Sequence, residues 1–226
     1  MKIVILTGAG MSAESGLQTF RDANGLWEGH NVMDVASPIG FSKDLELVLD
    51  FYNQRRRQLM EVSPNSAHQA LATLEKEHDV AIITQNVDDL HERAGSTHVV
   101  HLHGELLKVR STFDETLVKD WRVDLNLGDL CDHNSQLRPH IVWFGEAVPM
   151  MDKAIELVQT ADVITIVGTS MQVYPAAGLI DYAPGHSHIY FVDPNPSISS
   201  TERITVFAEK ATTGVPKVIQ NIDSKF

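Results

Sequence analysis

The apolar run Ile3–Leu6 ends in Thr7-Gly8-Ala9-Gly10-Met11-Ser12. A Gly-x-Gly turn between a strand and a helix lets backbone amides approach a phosphate with no side chain in the way. Ala13 stands where the usual dinucleotide fingerprint has its third glycine. An ordinary tight turn is the plainer alternative for Gly8 and Gly10. Phe20 and Arg21 follow. A guanidinium fork can pair with a phosphate and a phenyl ring can cover a bound ring, although a loop anchor and a solvated charge explain the pair equally well. The chain has 11 histidines, so residue type alone gives His103 no weight. Its position does. It follows the apolar run Val99–Leu102, precedes Gly104, and so sits at the carboxyl edge where parallel sheets bind ligands. Imidazole titrates near neutrality and suits general-base work, while a hydrogen-bonded histidine at a strand end is the alternative. His101, two residues earlier, points to the same side. Asn86 and Asp88 lie just past another apolar run, where Asn and Asp also serve as helix caps.

These residues need elements that bring them together. Ile3–Leu6, Val80–Ile83, Val163–Val167 and Ile189–Val192 are rich in Val and Ile. Continuous rather than alternating apolarity predicts strands buried on both faces, as in parallel sheets. Leu45, Val48, Leu49 and Tyr52 recur at three- and four-residue steps and predict a helix over Lys43–Glu61. Asn65 or Ser66 can cap a second helix running to Glu77. Asp152–Thr160 and Ala176–Tyr182 read as two more. Strands alternating with helices predict an α/β fold with a doubly wound parallel sheet. Two stretches break the rhythm: residues 15–42, which are irregular and glycine-bearing, and the polar segment Ser111–Leu137, read as a small insert.

The 226 residues correspond to about one and a half average domains. Hydrophobic residues at 43% and charged residues at 21% exclude disordered and fibrous classes. Eighteen basic against 30 acidic residues give a net charge of −12, the wrong sign for gripping nucleic acid through phosphates. Cys131 is the one cysteine, so no disulfide can form within the chain. No apolar stretch reaches the roughly 18 residues of a membrane span, and the N-terminal run is too short for a signal sequence. A cytoplasmic protein without membrane or nucleic-acid partners is expected. The oligomeric state is left open.

Gly8-Ala9-Gly10-x-Ser12-x-x-Ser15-Gly16-x-x-x-Phe20-Arg21 resembles the signature of the sirtuins, the NAD-dependent protein lysine deacylases. Four later blocks agree in order: Thr84-Gln85-Asn86-Val87-Asp88-Asp89-Leu90-His91, His103-Gly104, Val142-Trp143-Phe144-Gly145-Glu146, and Gly168-Thr169-Ser170-Met171-Gln172-Val173-Tyr174-Pro175. The resemblance runs from Gly8 to Pro175 and more weakly to Ala211. It implies a Rossmann-like large domain, formed by about 1–14, 78–104 and 141–226. A smaller domain would come from two insertions, about 15–77 and 105–140.

The implied reaction transfers an acyl group from a protein lysine to NAD, giving free lysine, nicotinamide and O-acyl-ADP-ribose. The resemblance assigns catalysis to His103 and Asn86. It assigns cofactor contacts to Gly8, Ala9, Gly10, Ser12, Phe20, Arg21, Gln85, Asn86, Asp88, Gly168, Thr169 and Ser170. Asp193 and Asn195 would meet the adenosine ribose, and Ala211 would close over the adenine. The block Val142–Glu146 would pair as a strand with the substrate backbone, with Val142, Trp143, Phe144 and Gly145 in contact. One branch of the family lines its acyl pocket with a Tyr-x-x-Arg pair, matched here by Tyr52 and Arg55 on one helical face. Arginine binds carboxylate bidentately and a tyrosine hydroxyl adds a hydrogen bond, so succinyl- and malonyl-lysine are expected beside acetyl-lysine. Ala36 would leave room for the longer chain. A solvated basic face over Arg55–Arg57 is the alternative.

The chain departs from the resemblance at one place. Most sirtuins hold zinc with four cysteines, whereas here Ser111 stands where the first thiolate is expected and Cys131 is alone beside Asp132 and His133. Adjacent residues make poor tetrahedral ligands, so no metal is expected. Phe113, Leu117, Trp121, Val123, Leu125, Leu127 and Leu130 are expected to pack a small core instead. ADP-ribosyl transfer to an acceptor, and non-catalytic sensing of NAD or ADP-ribose, are the competing readings. The presence of both His103 and Asn86 counts against the second.

Overall fold

The computed structural model describes residues 1–18, 26–27 and 29–225. Strand β1 (Lys2–Thr7) runs into the short helix α1 (Ala9–Ser12). A two-residue hairpin, β2 (Leu26–Trp27) and β3 (His30–Asn31), precedes α2 (Val32–Val35), α3 (Pro38–Lys43), α4 (Leu45–Glu61) and α5 (Ser66–Leu74). Then come β4 (Asp79–Thr84), α6 (Leu90–Ala94), β5 (Val99–His101), β6 (Gly104–Ser111), β7 (Val118–Asp120) and β8 (Leu137–Ile141). The chain closes with α7 (Met151–Val158), β9 (Val163–Val167), a 3₁₀ helix at Ala176–Tyr182, β10 (His188–Val192), β11 (Ile204–Phe207) and α8 (Ala211–Lys225).

Six strands form one parallel sheet in the order β11-β10-β9-β1-β4-β5. Strand β1 is central, with Ile3 facing Val80 on one side and Val163 on the other. The continuous apolar runs are explained by two cores. Ile3, Ile5, Val80 and Val163 pack with Leu71 of α5 and Val215 of α8, while Val4, Leu6, Ile164 and Ile166 pack with Ala154 and Val158 of α7. Strands β1, β4, β9 and β10 alternate between two apolar layers, so neither set of their inner side chains faces water.

The predicted helices shift at their ends. Lys43 belongs to α3, and Asp44 caps α4 by accepting from the Leu47 N–H at 3.0 Å. Asn65 caps α5 in a capping box completed by His68, and α5 ends at Leu74 rather than Glu77. The segment Ala176–Tyr182 is 3₁₀ rather than α. Ala67, Leu71 and Leu74 place α5 on the main sheet, which corrects its assignment to the small domain. Strand β11 and helix α8 were not anticipated.

A second, antiparallel sheet of order β7-β6-β8 stands apart from the first. Its core is Leu49, Val109, Leu125, Cys131 and Leu137, with Phe41, Leu45 and Trp121 against it. This corrects the expected cluster: Leu125 is buried, but Phe113, Leu117, Val123, Leu127 and Leu130 are exposed. Those residues lie on the polar excursion between β6 and β8, whereas the core draws on the strands themselves and on α4. The Ser111 hydroxyl donates to Cys131 Sγ at 3.2 Å and accepts from the Phe113 and Asp114 N–H groups.

Asn65→Ala removes the cap of a helix that covers the main sheet. We expect a loss of about 1 kcal/mol in chemical denaturation with the midpoint lowered and the slope unchanged.

Candidate active site

The carboxyl ends of β1, β4 and β9 open into a cavity of about 330 Å³. Its floor is made by two turns that meet backbone to backbone. The Gly8 N–H donates to the Val167 carbonyl at 3.0 Å, and the Gly10 N–H to the Gly168 carbonyl at 2.8 Å. A Cβ on Gly10 would stand 2.6 Å from Gly168 Cα, and one on Gly168, at φ +64°, 2.4 Å from the Gly10 carbonyl carbon. Glycine at these positions is therefore demanded by the junction of β1 and β9 as well as by any ligand. Gly8, Ala9, Gly168, Thr169 and Ser170 line the cavity, while Gly10 is spent on the junction. A floor of bare backbone edged by hydroxyls and amides fits the ribose and phosphates of a dinucleotide.

The turn after β4 supplies the amides. The Gln85 side chain donates to Thr169 Oγ1 at 3.1 Å. Asn86 Nδ2 donates to the Gly8 carbonyl at 3.0 Å and to Ser12 Oγ at 3.1 Å. Ser12 Oγ in turn donates to Asp88 at 2.8 Å, and the other Asp88 oxygen accepts from the Leu90 N–H. Burial pushes the Asp88 carboxyl above its ordinary 3.8, with those two hydrogen bonds opposing the shift. Asp88 thus both holds the Leu90 N–H at the start of α6 and braces Asn86 through Ser12.

His103 lines the cavity between β5 and β6. Its Nδ1–H donates to the Gln85 carbonyl at 3.0 Å, which leaves Nε2 as the basic nitrogen. Burial is the larger influence and lowers its pKa below 6.5; the Gln85 carbonyl works against that. Gly104 lets β6 start immediately after it: φ is +81°, and a Cβ would lie 2.0 Å from the His140 carbonyl oxygen.

The far wall belongs to α4 and to the turn after β8. Tyr52 is buried, its hydroxyl oxygen accepts from Trp143 Nε1 at 2.9 Å, and burial drives its pKa well above 10. The Arg55 guanidinium lies 3.6 Å over the Phe51 ring and donates to the Phe51 carbonyl at 2.6 Å. The three arginines do not form a basic face. Arg55 lines the cavity, Arg56 is buried and donates to the Leu106 carbonyl and Asn53, and Arg57 pairs with Asp124 at the surface. Ala36 also lines the cavity, joined by Trp27 and Gln58, which sequence reasoning missed because nothing in their spacing sets them apart, and by Tyr174, which lies in the quoted Gly168–Pro175 block but was given no role.

Val142–Glu146 is a turn rather than a strand, a correction to the sequence reading. The N–H groups of Val142, Trp143, Phe144 and Glu146 bond to His103, the Glu146 carboxylate, Ala36 and Trp143 within the protein. Trp143 is clamped further. Arg138 stacks on it at 3.4 Å and binds Glu146 at 2.6 Å, and Arg110 binds the same carboxylate at 3.1 Å. Val142, Trp143, Phe144 and Gly145 all line the cavity.

Some expected residues are not brought in. Asp193 is buried and accepts from the Asn195 N–H in its own turn, and Ala211 is buried in the core at the start of α8; neither they nor Asn195 line this cavity. Phe20 and Arg21 fall outside the described residues.

A family model described as Sir2 family matches residues 8–175, and the chain belongs to that family. A Helicobacter pylori protein named NAD-dependent protein deacylase is 65% identical over 192 residues, covering 85% of this chain and 84% of that one. A Bacteroides thetaiotaomicron protein of the same name is 51% identical over 225 residues, 96% of each chain. Among solved structures, a Sir2 homologue in complex with NAD is similar at TM-score 0.88 and 39% identity, covering 99% of this chain and 90% of that chain. A Sir2 complex with a deacetylated p53 peptide and 3′-O-acetyl ADP-ribose is similar at TM-score 0.81 and 30% identity, over 97% and 92% of the two chains.

The His103 environment predicts its titration. Followed by NMR in the free protein, its midpoint should fall below 6.5, so the neutral ring predominates at pH 7. A midpoint above 6.5 would mean that the Gln85 carbonyl outweighs burial.

Proposed function

We infer that this protein removes acyl groups from lysine side chains of proteins, with NAD as the acceptor, and that succinyl and malonyl groups are substrates beside acetyl. One observation carries the reading: a single cavity joins the glycine floor, the basic nitrogen of His103, and the Tyr52–Arg55 pair. NAD, when bound, supplies the ribose carbon to which the acyl oxygen is transferred as nicotinamide leaves.

The chain's residues do the rest. Gly8, Ala9, Gly168, Thr169 and Ser170 seat the dinucleotide. Asn86 and Gln85 bind ribose hydroxyls with uncharged groups, which add no charge to a developing cation. His103 Nε2 takes the proton of a ribose hydroxyl, and its Nδ1 bond to the Gln85 carbonyl keeps the ring in that tautomer. Because the Tyr52 oxygen already accepts from Trp143, its hydroxyl proton is available to an acceptor at the acyl tip. Arg55, beside it, supplies the charge a carboxylate needs. The acidic surface favours lysine-rich targets.

The small sheet is held by packing rather than by zinc. In support, Cys131 is the one thiol, it accepts a hydrogen bond from Ser111, and it forms part of an apolar core. No helix among the described residues is long and apolar enough to cross a membrane.

Incubating the protein with NAD and acetyl-, malonyl- or succinyl-peptides, and reading products by mass, tests the reading. O-acyl-ADP-ribose should appear with each. His103→Ala should lower turnover about a hundredfold or more while NAD still binds; retained turnover would remove the base from His103. Arg55→Met should cost desuccinylation about tenfold to a hundredfold, from lost charge-assisted bonds, and deacetylation far less. Equal losses would rule out a carboxylate-binding role.

A further inference from the structure

His101 lies on the side of β5 that carries His103 and reaches the same turn. Its Nδ1 is 3.2 Å from the Asn86 carbonyl oxygen, and its Nε2 is 2.6 Å from Glu92 Oε1. Two successive carbonyls, those of Gln85 and Asn86, are therefore each held by one of two histidines two residues apart. The two rings differ in what their second nitrogen meets. That of His103 meets the cavity, whereas that of His101 meets a carboxylate. A carbonyl and a carboxylate only accept, so both His101 nitrogens must donate.

We propose that His101 is a positioning residue for deacylation. Held as an imidazolium by Glu92, it pins the Asn86 peptide so that the Asn86 side chain and the His103 ring keep their places at the cavity. Asn86 is tied at three further points, its N–H to Thr84 Oγ1 and its Nδ2 to Gly8 and Ser12, so the carbonyl bond is what fixes the remaining rotation of that peptide. Glu92 on α6 and Glu105 on β6 favour the cation, and Asp88 on the intervening turn faces it. Lys108 on β6, which also acts on Glu92, is paired with Glu105 at 2.8 Å, and His91 on α6 is neutral because burial holds its pKa well below 6.5. Burial works against the charge, and the Glu92 bond and field overcome it, so the His101 pKa lies above 6.5.

The pH dependence follows from that sign. The pinned state is complete below the ordinary histidine pKa and is lost as pH rises through the higher folded value. When the ring loses a proton, the carboxylate, the stronger acceptor, keeps the Nε2–H. Nδ1 then faces the Asn86 carbonyl lone pair to lone pair, and the turn is released. Activity should therefore rise through the lower pKa of His103 and decline again through that of His101.

Glu92→Gln separates position from charge. An amide can donate to Nε2, which lets a neutral His101 keep its Nδ1–H on Asn86. This variant should lose the alkaline decline that the wild-type protein shows. His101→Ala should lower kcat about tenfold to a hundredfold with little change in the peptide KM, as expected from a misplaced site. Independently of activity, ¹⁵N NMR of the wild-type imidazoles at about pH 7 should find both His101 nitrogens protonated and one of the two in Glu92→Gln. A singly protonated His101 in the wild-type protein overturns the proposal even if His101→Ala does not fold. So does an alkaline decline that persists unchanged in Glu92→Gln. The kinetic measurements rest on the deacylase reading and the NMR does not, so doubly protonated His101 without turnover would count against that reading alone.

Discussion

The site depends on a contact between two pieces of bare backbone. Strands β1 and β9 lie side by side, and the turns that leave them touch through Gly10 and Gly168 with no side chain between. This junction puts the carboxyl ends of the two strands at one level and makes the cavity floor. The β4 turn then docks on it through Asn86 and Gln85, which bond to Gly8 and Thr169 on the two sides. His103 is placed by that turn in its own right, through the Gln85 carbonyl. A side chain at either junction glycine would displace the floor, then the amides, then the base.

The legible part of the fold was the parallel sheet, because strands buried on both faces leave continuous Val- and Ile-rich runs. Strand β11 was not legible. Ile204–Phe207 is half-buried at the sheet edge and carries a threonine, so its pattern is weak. Helix α8 contains Gly214 and Pro216, which local propensity reads as breakers, yet it covers the sheet with Val215, Val218 and Ile222. Burial against the sheet overrides the propensity there.

Within the site, Gly8, Asn86, Asp88, His103 and Gly168 were legible because each follows a recognisable strand. The separate destinations of Arg55, Arg56 and Arg57 were not. Consecutive helical residues point about 100° apart, so three adjacent arginines meet a cavity, a core and solvent. Which residue meets which depends on the second sheet, whose Leu106 carbonyl receives Arg56. The turn Val142–Glu146 misled for a related reason. The resemblance implied a strand there, but Glu146 folds back to take the Trp143 N–H and two arginines, and that carboxylate decides the conformation.

The position of β1 also bears on how the chain is made. Strand β1 lies in the middle of the sheet, and both of its neighbours, β4 and β9, leave the ribosome after it. Ile3 must wait for Val80 on one side and for Val163 on the other. Until β9 has been synthesised, one edge of a strand whose middle, Ile3–Leu6, is apolar stands uncovered, and such an edge invites pairing with other chains. Nascent chains stalled between β4 and β9 are thus the species in which chaperone protection matters most.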